Sequence, residues 1–509
     1  MIVKPEAWRP MRAVALGGIA VSVALMVLTG LLRPPAAVPA MDGPGLLPSP
    51  GWTLTPDLSV TALLWTAMIV GTLGTAAGLL AVRWGWKPRT RQIMIGALVA
   101  VGLLVAVPPM GTTDPMHYAV YGRMAVLGHN PHVLTPAEFR ITGDPVGVFA
   151  PREWENLPSV YGPVATGAQW AASKLGGESA AWTVLWLKIW NGLAFLAVAL
   201  CLARLAGTRQ ARVHLLWTLN PLLLWALIGG AHVDGLSAAL AVGALTMAHL
   251  AGRRPTGRAA LARVATAGAL LGAAAAVKLP YALIGVGVFW MLRRSPRALA
   301  TAAGAAAAVL VATYSMVGTA AIEAVVNRGT LPSWNTPWKL LLPGEGPAPP
   351  WLSGAALMLA LLVGLVLLRL PSGESSWLRP TLALCLAWVI TTPVYYPWYE
   401  ALVFPLVALA PASRLDWLQL ARALVATLGA LPGVVFRLGD SWLRAAVFQG
   451  PLPSVVSVAL LILLLLLLTN ALVTPRRRRH LPRPLVPAYG GPVRDLRWTR
   501  DRAPAGRSK

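Results

Sequence analysis

Residues 452–473 read LPSVVSVALLILLLLLLTNALV, 22 positions without a charge, and Arg476-Arg477-Arg478-Arg479 follows almost at once. A helix rises about 1.5 Å per residue, so a run of ~20 apolar residues crosses the ~30 Å hydrocarbon core of a bilayer. An arginine cluster at one end of such a run marks the cytoplasmic side. Similar runs recur along all 509 residues, of which 56% are hydrophobic and 12% charged. A soluble domain carries about 25% charged residues, so a soluble enzyme is excluded. So is a disordered chain, which lacks apolar mass. Cys201 and Cys385 both fall in apolar runs; they read as buried thiols, not as a disulfide framework.

The formal net charge of +25 could suggest nucleic acid, but its distribution points elsewhere. After Pro475 come eleven Lys/Arg and two Asp, net +9. The N-terminal dozen residues give +2, and the stretches 83–92, 204–212, 252–263 and 293–297 give +4, +3, +4 and +3. Basic residues gathered in short connectors between apolar runs follow the positive-inside rule, so no nucleic acid is called for. Arg476–Arg479 adds a contact with anionic lipid of the cytoplasmic leaflet.

The predicted spans are 13–32, 59–82, 93–109, 180–203, 213–229, 235–251, 259–277, 297–317, 351–370, 377–393, 418–436 and 452–473, with shorter ones at 280–292 and 399–413. The sequence is therefore expected to be all-α, a polytopic bundle of about 14 transmembrane helices over residues 1–474. Both termini are cytoplasmic in this scheme. The tail 475–509 is basic and expected to be disordered. Loops 33–58, 110–160 and 318–350 face outward. None is large enough to fold alone. Residues 161–175 are predicted to form a helix lying on, or dipping into, the outer face, because counting them as a span would put Arg204, Arg209 and Arg212 outside. Val38-Pro39-Ala40 resembles a signal-peptidase site, but an uncleaved signal anchor suits a chain that stays apolar to residue 473.

Ionisable residues are rare in such a chain and are the first functional candidates. Asp114 follows the third span, Asp234 and His232 join 213–229 to 235–251, Lys278 joins 259–277 to 280–292, and Glu400 follows Tyr395-Tyr396-Pro397-Trp398-Tyr399. The topology drawn from cytoplasmic arginines puts all these joins on the outer face, as if around one cavity. Each has a plainer reading: Asp114 and Asp234 as helix N-caps, Lys278 snorkelling to headgroups, Glu400 solvated in a loop, Trp398 and Tyr399 as interface anchors. Lys188 lies within a span, where a buried acid or a backbone carbonyl would be its partner. No metal-ligand spacing, Walker loop or dinucleotide glycine motif is present. No cofactor is expected, although Asp114 with a second acid could hold a metal ion.

The ordered set Asp114, Tyr118, Gly122, Gly128, Asn130, Pro131, then Tyr161-Gly162-Pro163, Asn220-Pro221, Gly229 to Gly235, Lys278-Leu279-Pro280 and Tyr396 to Tyr399 resembles the polyprenyl-phosphomannose-dependent α-1,6-mannosyltransferases of the MptA/MptB type. These belong to the GT-C superfamily of membrane glycosyltransferases. Val233, His132 and His117 depart from the pattern. The resemblance implies a GT-C helical bundle in the cytoplasmic membrane with its active site outside. It implies a polyprenyl-phosphate-mannose donor, a glycan or lipid-linked glycan acceptor, inversion at the anomeric carbon, and Asp114 as general base. A carboxylate in reach of a sugar hydroxyl can take its proton as the new bond forms. The leaving phosphate needs positive charge or N–H donors, for which Lys278, then His232, then Arg123 are the candidates. Asp234, Tyr118, Asn130, Tyr161, Trp398, Tyr399 and Glu400 are expected to orient these groups or to touch sugar. The alternatives are transfer of another prenyl-phosphate sugar such as arabinose or glucose, a lipid or sugar transporter or flippase, and a non-catalytic scaffold.

Overall fold

A computed structural model describes residues 6, 8–43, 46, 52, 57–252, 255–326, 332–333, 335–343, 348–370, 375–431 and 452–473. The tail 475–509, with Arg476–Arg479, lies outside them, as do parts of loops 33–58 and 318–350. Among the described residues all regular structure is helical. The long helices are α1 (Trp8–Leu32), α2 (Asp57–Arg83), α3 (Thr90–Ala106), α4 (Asp114–Val126), α5 (Pro136–Ile141), α6 (Pro163–Gly176), α7 (Ala180–Ala206), α8 (Gln210–Gly229), α9 (Asp234–Ala251), α10 (Arg258–Val277), α11 (Leu279–Leu292), α12 (Pro296–Val317), α13 (Ala320–Val326), α14 (Leu352–Leu367), α15 (Leu378–Thr391), α16 (Pro397–Leu409), α17 (Arg414–Ala430) and α18 (Leu452–Val473), with α4, α5, α6 and α13 standing between the predicted spans.

A helix overlaps each of the fourteen predicted spans, the end of 418–436 falling outside the described residues. Eight of them, α1, α2, α7, α8, α9, α10, α12 and α18, are long and apolar enough to cross a bilayer unaided. The chain is thus a multi-pass membrane protein. Helices α3, α11, α14, α15 and α16 are shorter. Helix α17 differs in another way: its Arg414, Asp416 and Arg422 interrupt the apolar run. Of these, Asp416 pairs with Arg212, whose guanidinium also donates to the Val407 and Ala408 carbonyls. Arg212, expected to mark topology, is thus a packing residue.

Local chemistry accounts for the helix ends. Ser179, Ser295 and Ser413 accept hydrogen bonds from the first-turn N–H groups of α7, α12 and α17. Thr135 and Glu138 form a capping box on α5. Inside α8, Asn220-Pro221 breaks the ladder, and wide i→i+5 turns lie on both sides. Helices α1 and α2 pack backbone to backbone: a β-carbon on Gly18 would sit 2.9 Å from the Val70 carbonyl oxygen and 3.1 Å from Gly74 Cα. In lipid, where apolar side chains gain little by leaving the tails, such close approach is what joins helices.

The loop 110–160, expected to face outward, does not stand free. Every residue of α4 from Asp114 to Met124 is buried. The expected helix at 161–175 forms over Pro163–Gly176, but α6 is wedged against α4 and α7, with Gly122 so close to it that a β-carbon would meet the Gln169 carbonyl at 2.3 Å. Loop 318–350 reaches back too: Trp338 Nε1 donates to the Thr391 carbonyl at 2.7 Å, and Ser333 Oγ accepts from Tyr395 N at 2.7 Å. Cys385 is buried, whereas Cys201 is only partly so.

Candidate active site

Asp114 is the first residue of α4 and its backbone N–H donates to Thr112 Oγ1 at 3.2 Å. Its carboxylate does not cap the helix. Oδ2 instead lies 3.3 Å from Tyr118 OH, one turn on, and 3.3 Å from His232 Nδ1. An ionised carboxylate only accepts, which assigns the Nδ1–H tautomer to His232. The Tyr118 hydroxyl also lies 3.3 Å from His232 Nδ1 and 3.2 Å from Tyr161 OH; with one proton it donates to one partner at a time. Burial alone would raise the Asp114 carboxyl, but the hydrogen bond from His232 and the nearby Lys278 charge outweigh it and hold it below the usual carboxylate range. Burial pushes the His232 and His117 imidazoles down and the Tyr118 phenol well up, so all three stay neutral near pH 7.

Two backbone details aim these groups. Ala231 is held at φ 51°, with its carbonyl accepting from Asn191 Nδ2 at 3.0 Å, and the next residue is His232. Gly162 lies against the end of α10, donating to the Val277 carbonyl at 3.0 Å. A β-carbon there would stand 2.1 Å from the Ala276 carbonyl oxygen, so Tyr161-Gly162-Pro163 seats Tyr161 only with glycine in the middle.

Lys278 ends α10. It does not snorkel outward. Its ammonium donates to both oxygens of Asp234, at 3.0 and 2.7 Å, and lies 3.9 Å from the centre of the Tyr399 ring. Tyr281 OH contacts Asp234 Oδ1 at 3.3 Å. Asp234 is thereby committed to Lys278 and Tyr281, not to capping α9. The Trp398 ring stacks on His232 at 3.5 Å and on Tyr396 at 4.8 Å between centroids.

Asp114, Lys278 and the aromatic rings of Tyr161, Tyr396, Trp398 and Tyr399 border one cavity of about 810 Å³. Its polar end has Asp114, His117, Tyr161 and Lys278; Trp398, Tyr396 and Tyr399 form a wall; Leu279, Leu310, Val311 and Ile322 line the rest. Val311 and Ile322 are 69% and 52% exposed, so the apolar end opens at the surface of α12 and α13.

Six expected site residues do not line this cavity. Tyr118 and Asp234 stand directly behind Asp114 and Lys278, which do. Arg123 is held by Asp144 at 2.8 Å and Glu178 at 3.1 Å, so its guanidinium folds the 110–160 loop. Asn130 donates to the Val317 carbonyl and accepts from His132 N, also a loop contact. His232 is fully buried behind Asp114 and Trp398, where it meets the carboxylate and not a phosphate. Glu400 is not a solvated loop acid: it is 1% exposed, accepts from Tyr395 OH and Gln419 Nε2 at 2.5 Å, and pairs with Arg422. Lys188 donates to the Val107 carbonyl at 2.6 Å, which fastens the chain where it leaves α3 for Asp114. Sequence reasoning passed over His117, Trp388 and Tyr314, which also line the cavity; His117, three residues after Asp114 on one helix face, had the only readable signal. Among the described residues no three His, Cys, Asp or Glu side chains converge in a metal-binding group.

Comparison with known proteins adds the following. The model of the MptA_B family, described as alpha-(1->6)-mannopyranosyltransferase, N-terminal domain, matches residues 13–294. That range holds Asp114, His232, Asp234 and Lys278 but not the 396–400 turn. A probable alpha-(1->6)-mannopyranosyltransferase of Mycolicibacterium smegmatis is 31% identical over 142 residues, 27% of this chain and 25% of the relative. Alpha-(1->6)-mannopyranosyltransferase B of Corynebacterium glutamicum is 32% identical over 146 residues, 28% of this chain and 24% of the relative. The matched part thus spans about a quarter of each curated relative. The apo crystal structure of ArnT from Cupriavidus metallidurans aligns over 75% of this chain and 76% of that one, with a TM-score of 0.41 and 17% identity.

Proposed function

The chain belongs to the alpha-(1->6)-mannopyranosyltransferase family, and from that premise we propose that it transfers a mannosyl group from polyprenyl-phosphate-mannose to a glycan or lipid-linked glycan, with inversion, to form an α-1,6 linkage. The cavity would lie on the outer face of the cytoplasmic membrane, with both termini inside. One observation carries the reading: a single cavity has a carboxylate and an ammonium at its polar end and an apolar arm open at the surface of the bundle.

The chemistry follows from that order of groups. The prenyl chain lies along Leu310, Val311 and Ile322, which brings the phosphate toward Lys278. The free Asp114 oxygen takes the proton of the acceptor hydroxyl as its oxygen bonds to the anomeric carbon. The bond from that carbon to the phosphate oxygen breaks on the opposite face, and the electron pair leaves with the prenyl phosphate. Lys278 stabilises the charge that appears there, and Asp234 and Tyr399 keep its ammonium in place. His232 and Tyr118 hold Asp114 by its other oxygen. No cofactor enters this scheme.

The test is transfer in membranes supplied with labelled polyprenyl-phosphate-mannose and a short α-1,6-mannoside. Wild type should transfer mannose, and Asp114→Asn at equal protein level should lose about 100-fold or more. Failure of the wild type with this donor, together with transfer from another prenyl-phosphate sugar, would replace mannose in the proposal.

A further inference from the structure

A second cavity, of about 620 Å³, borders the same turn of α4. Thr113 and Met116, three residues apart, line it on one face of the turn, while Asp114 and His117 line the first cavity on the next. The opposite wall alternates in the same way: Glu153 faces the second cavity and Trp154 the first. Arg33 and Arg152 add two guanidinium groups, against the single carboxylate of Glu153.

Among the described residues, Arg33 Nη2 and Thr113 Oγ1, which belong to two residues of this lining, have no hydrogen-bond partner; both atoms are buried, and the threonine is 6% exposed. Arg33 Nη1 makes only a 3.4 Å contact to the Gly43 carbonyl. A buried donor left unpaired costs stability, and native proteins leave few of them. Arg33 is also held at φ 47°, a backbone conformation that disfavours a residue with a β-carbon. The position keeps a guanidinium where glycine would relax the chain. A planar guanidinium beside a hydroxyl donor matches a phosphate ester, which it can bind through two parallel N–H groups.

We propose that this second cavity binds a phosphate group carried by the acceptor, anchored by Arg33 and Arg152 with Thr113 donating, so that a hydroxyl of the same molecule reaches Asp114 from the next face of the turn. The inference rests on the proposed transfer reaction for its meaning but not for its test, because binding can be read without donor. Purified protein in neutral detergent would be titrated with α-1,6-mannobiose 1-phosphate and with neutral α-1,6-mannobiose. The phosphorylated sugar should bind at least about tenfold tighter, and Arg33→Met should remove most of that difference. Arg152→Met, at an exposed rim position, gives the same reading if the Arg33 variant folds poorly. Arg33→Lys should restore part of the preference through charge alone. Equal binding of the two sugars by wild type, or an unchanged preference in both methionine variants, would overturn the proposal. The phosphate could instead come from the bilayer. Repeating the titration in nanodiscs with and without anionic phospholipid separates the sources: no competition by lipid supports the acceptor, and full displacement by lipid overturns it. A wild type that binds the sugar phosphate yet transfers no mannose would count against the proposed reaction and leave the site standing.

Discussion

Two clusters of charged side chains, one around Glu400 and one around Asp114, are built on opposite plans. Around Glu400, the carboxylate meets Tyr395, Gln419 and Arg422, and its side chain is 2% exposed. Around Asp114, one oxygen meets Tyr118 and His232, the other takes no hydrogen bond from a described residue, and the side chain is 12% exposed at a cavity. A buried carboxylate with both oxygens engaged offers a substrate no access and serves to hold helices together. A half-satisfied one facing a cavity can accept a proton. Lys278 with Asp234 stands between these plans: paired like Glu400 with Arg422, yet with its ammonium on the cavity wall.

Substitutions should divide accordingly. Asp114→Asn keeps shape and neighbours, so transfer should fall by about 100- to 10,000-fold while the unfolding midpoint in detergent barely moves. Glu400→Gln should do the reverse. It strands Arg422 in the bundle, and breaking one partner of a buried pair costs about 3–5 kcal/mol, read as a lower unfolding midpoint and yield. A Glu400 variant that folds normally but cannot transfer would break the comparison. Lys278→Gln should fall between, losing about 10- to 100-fold in kcat through weaker stabilisation of the leaving phosphate. A smaller loss in Asp234→Asn, with a higher KM for donor, would mark Asp234 as the residue that positions the lysine.

The positions of the helices were legible because a bilayer demands ~20 apolar residues per crossing, and arginine spacing then oriented them. That orientation was enough to gather Asp114, His232, Asp234 and Lys278 on one face before any contact was known. Pairing was not legible. Glu400 looked solvated because its partner Arg422 lies 22 residues on, inside the predicted span 418–436. Arg422 was the available signal, since an arginine inside a span needs a partner. Arg123 misled for the opposite reason: its partners Asp144 and Glu178 come from segments whose fold depends on α4 and α6 packing together.

The smallest expected effect separates the two clusters by pH. His117 and His232 border Asp114, and His132, in the loop that follows α4, donates from Nδ1 to the Ser159 carbonyl at 3.0 Å and accepts at Nε2 from Thr166 Oγ1 at 3.1 Å; the Glu400 cluster has no histidine among the described residues. Burial depresses all three imidazoles below their ordinary value. Between the folded value and the unfolded one, about 6.5, the unfolded chain then binds more protons than the folded one. Stability therefore rises with pH across that window and is lost on acidification, by at most about 1.4 kcal/mol per pH unit for each histidine. The depressed Asp114 acts at lower pH, where its contribution vanishes only as pH falls through its folded value. Unfolding midpoints followed from about pH 7 to 5 should fall in wild type. The slope should be shallower in His117→Asn, and in Glu400→Gln it should match wild type about a lower midpoint. An equal change of slope in the two variants would mean that the clusters are coupled, and the contrast between a site that titrates and a brace that does not would fail.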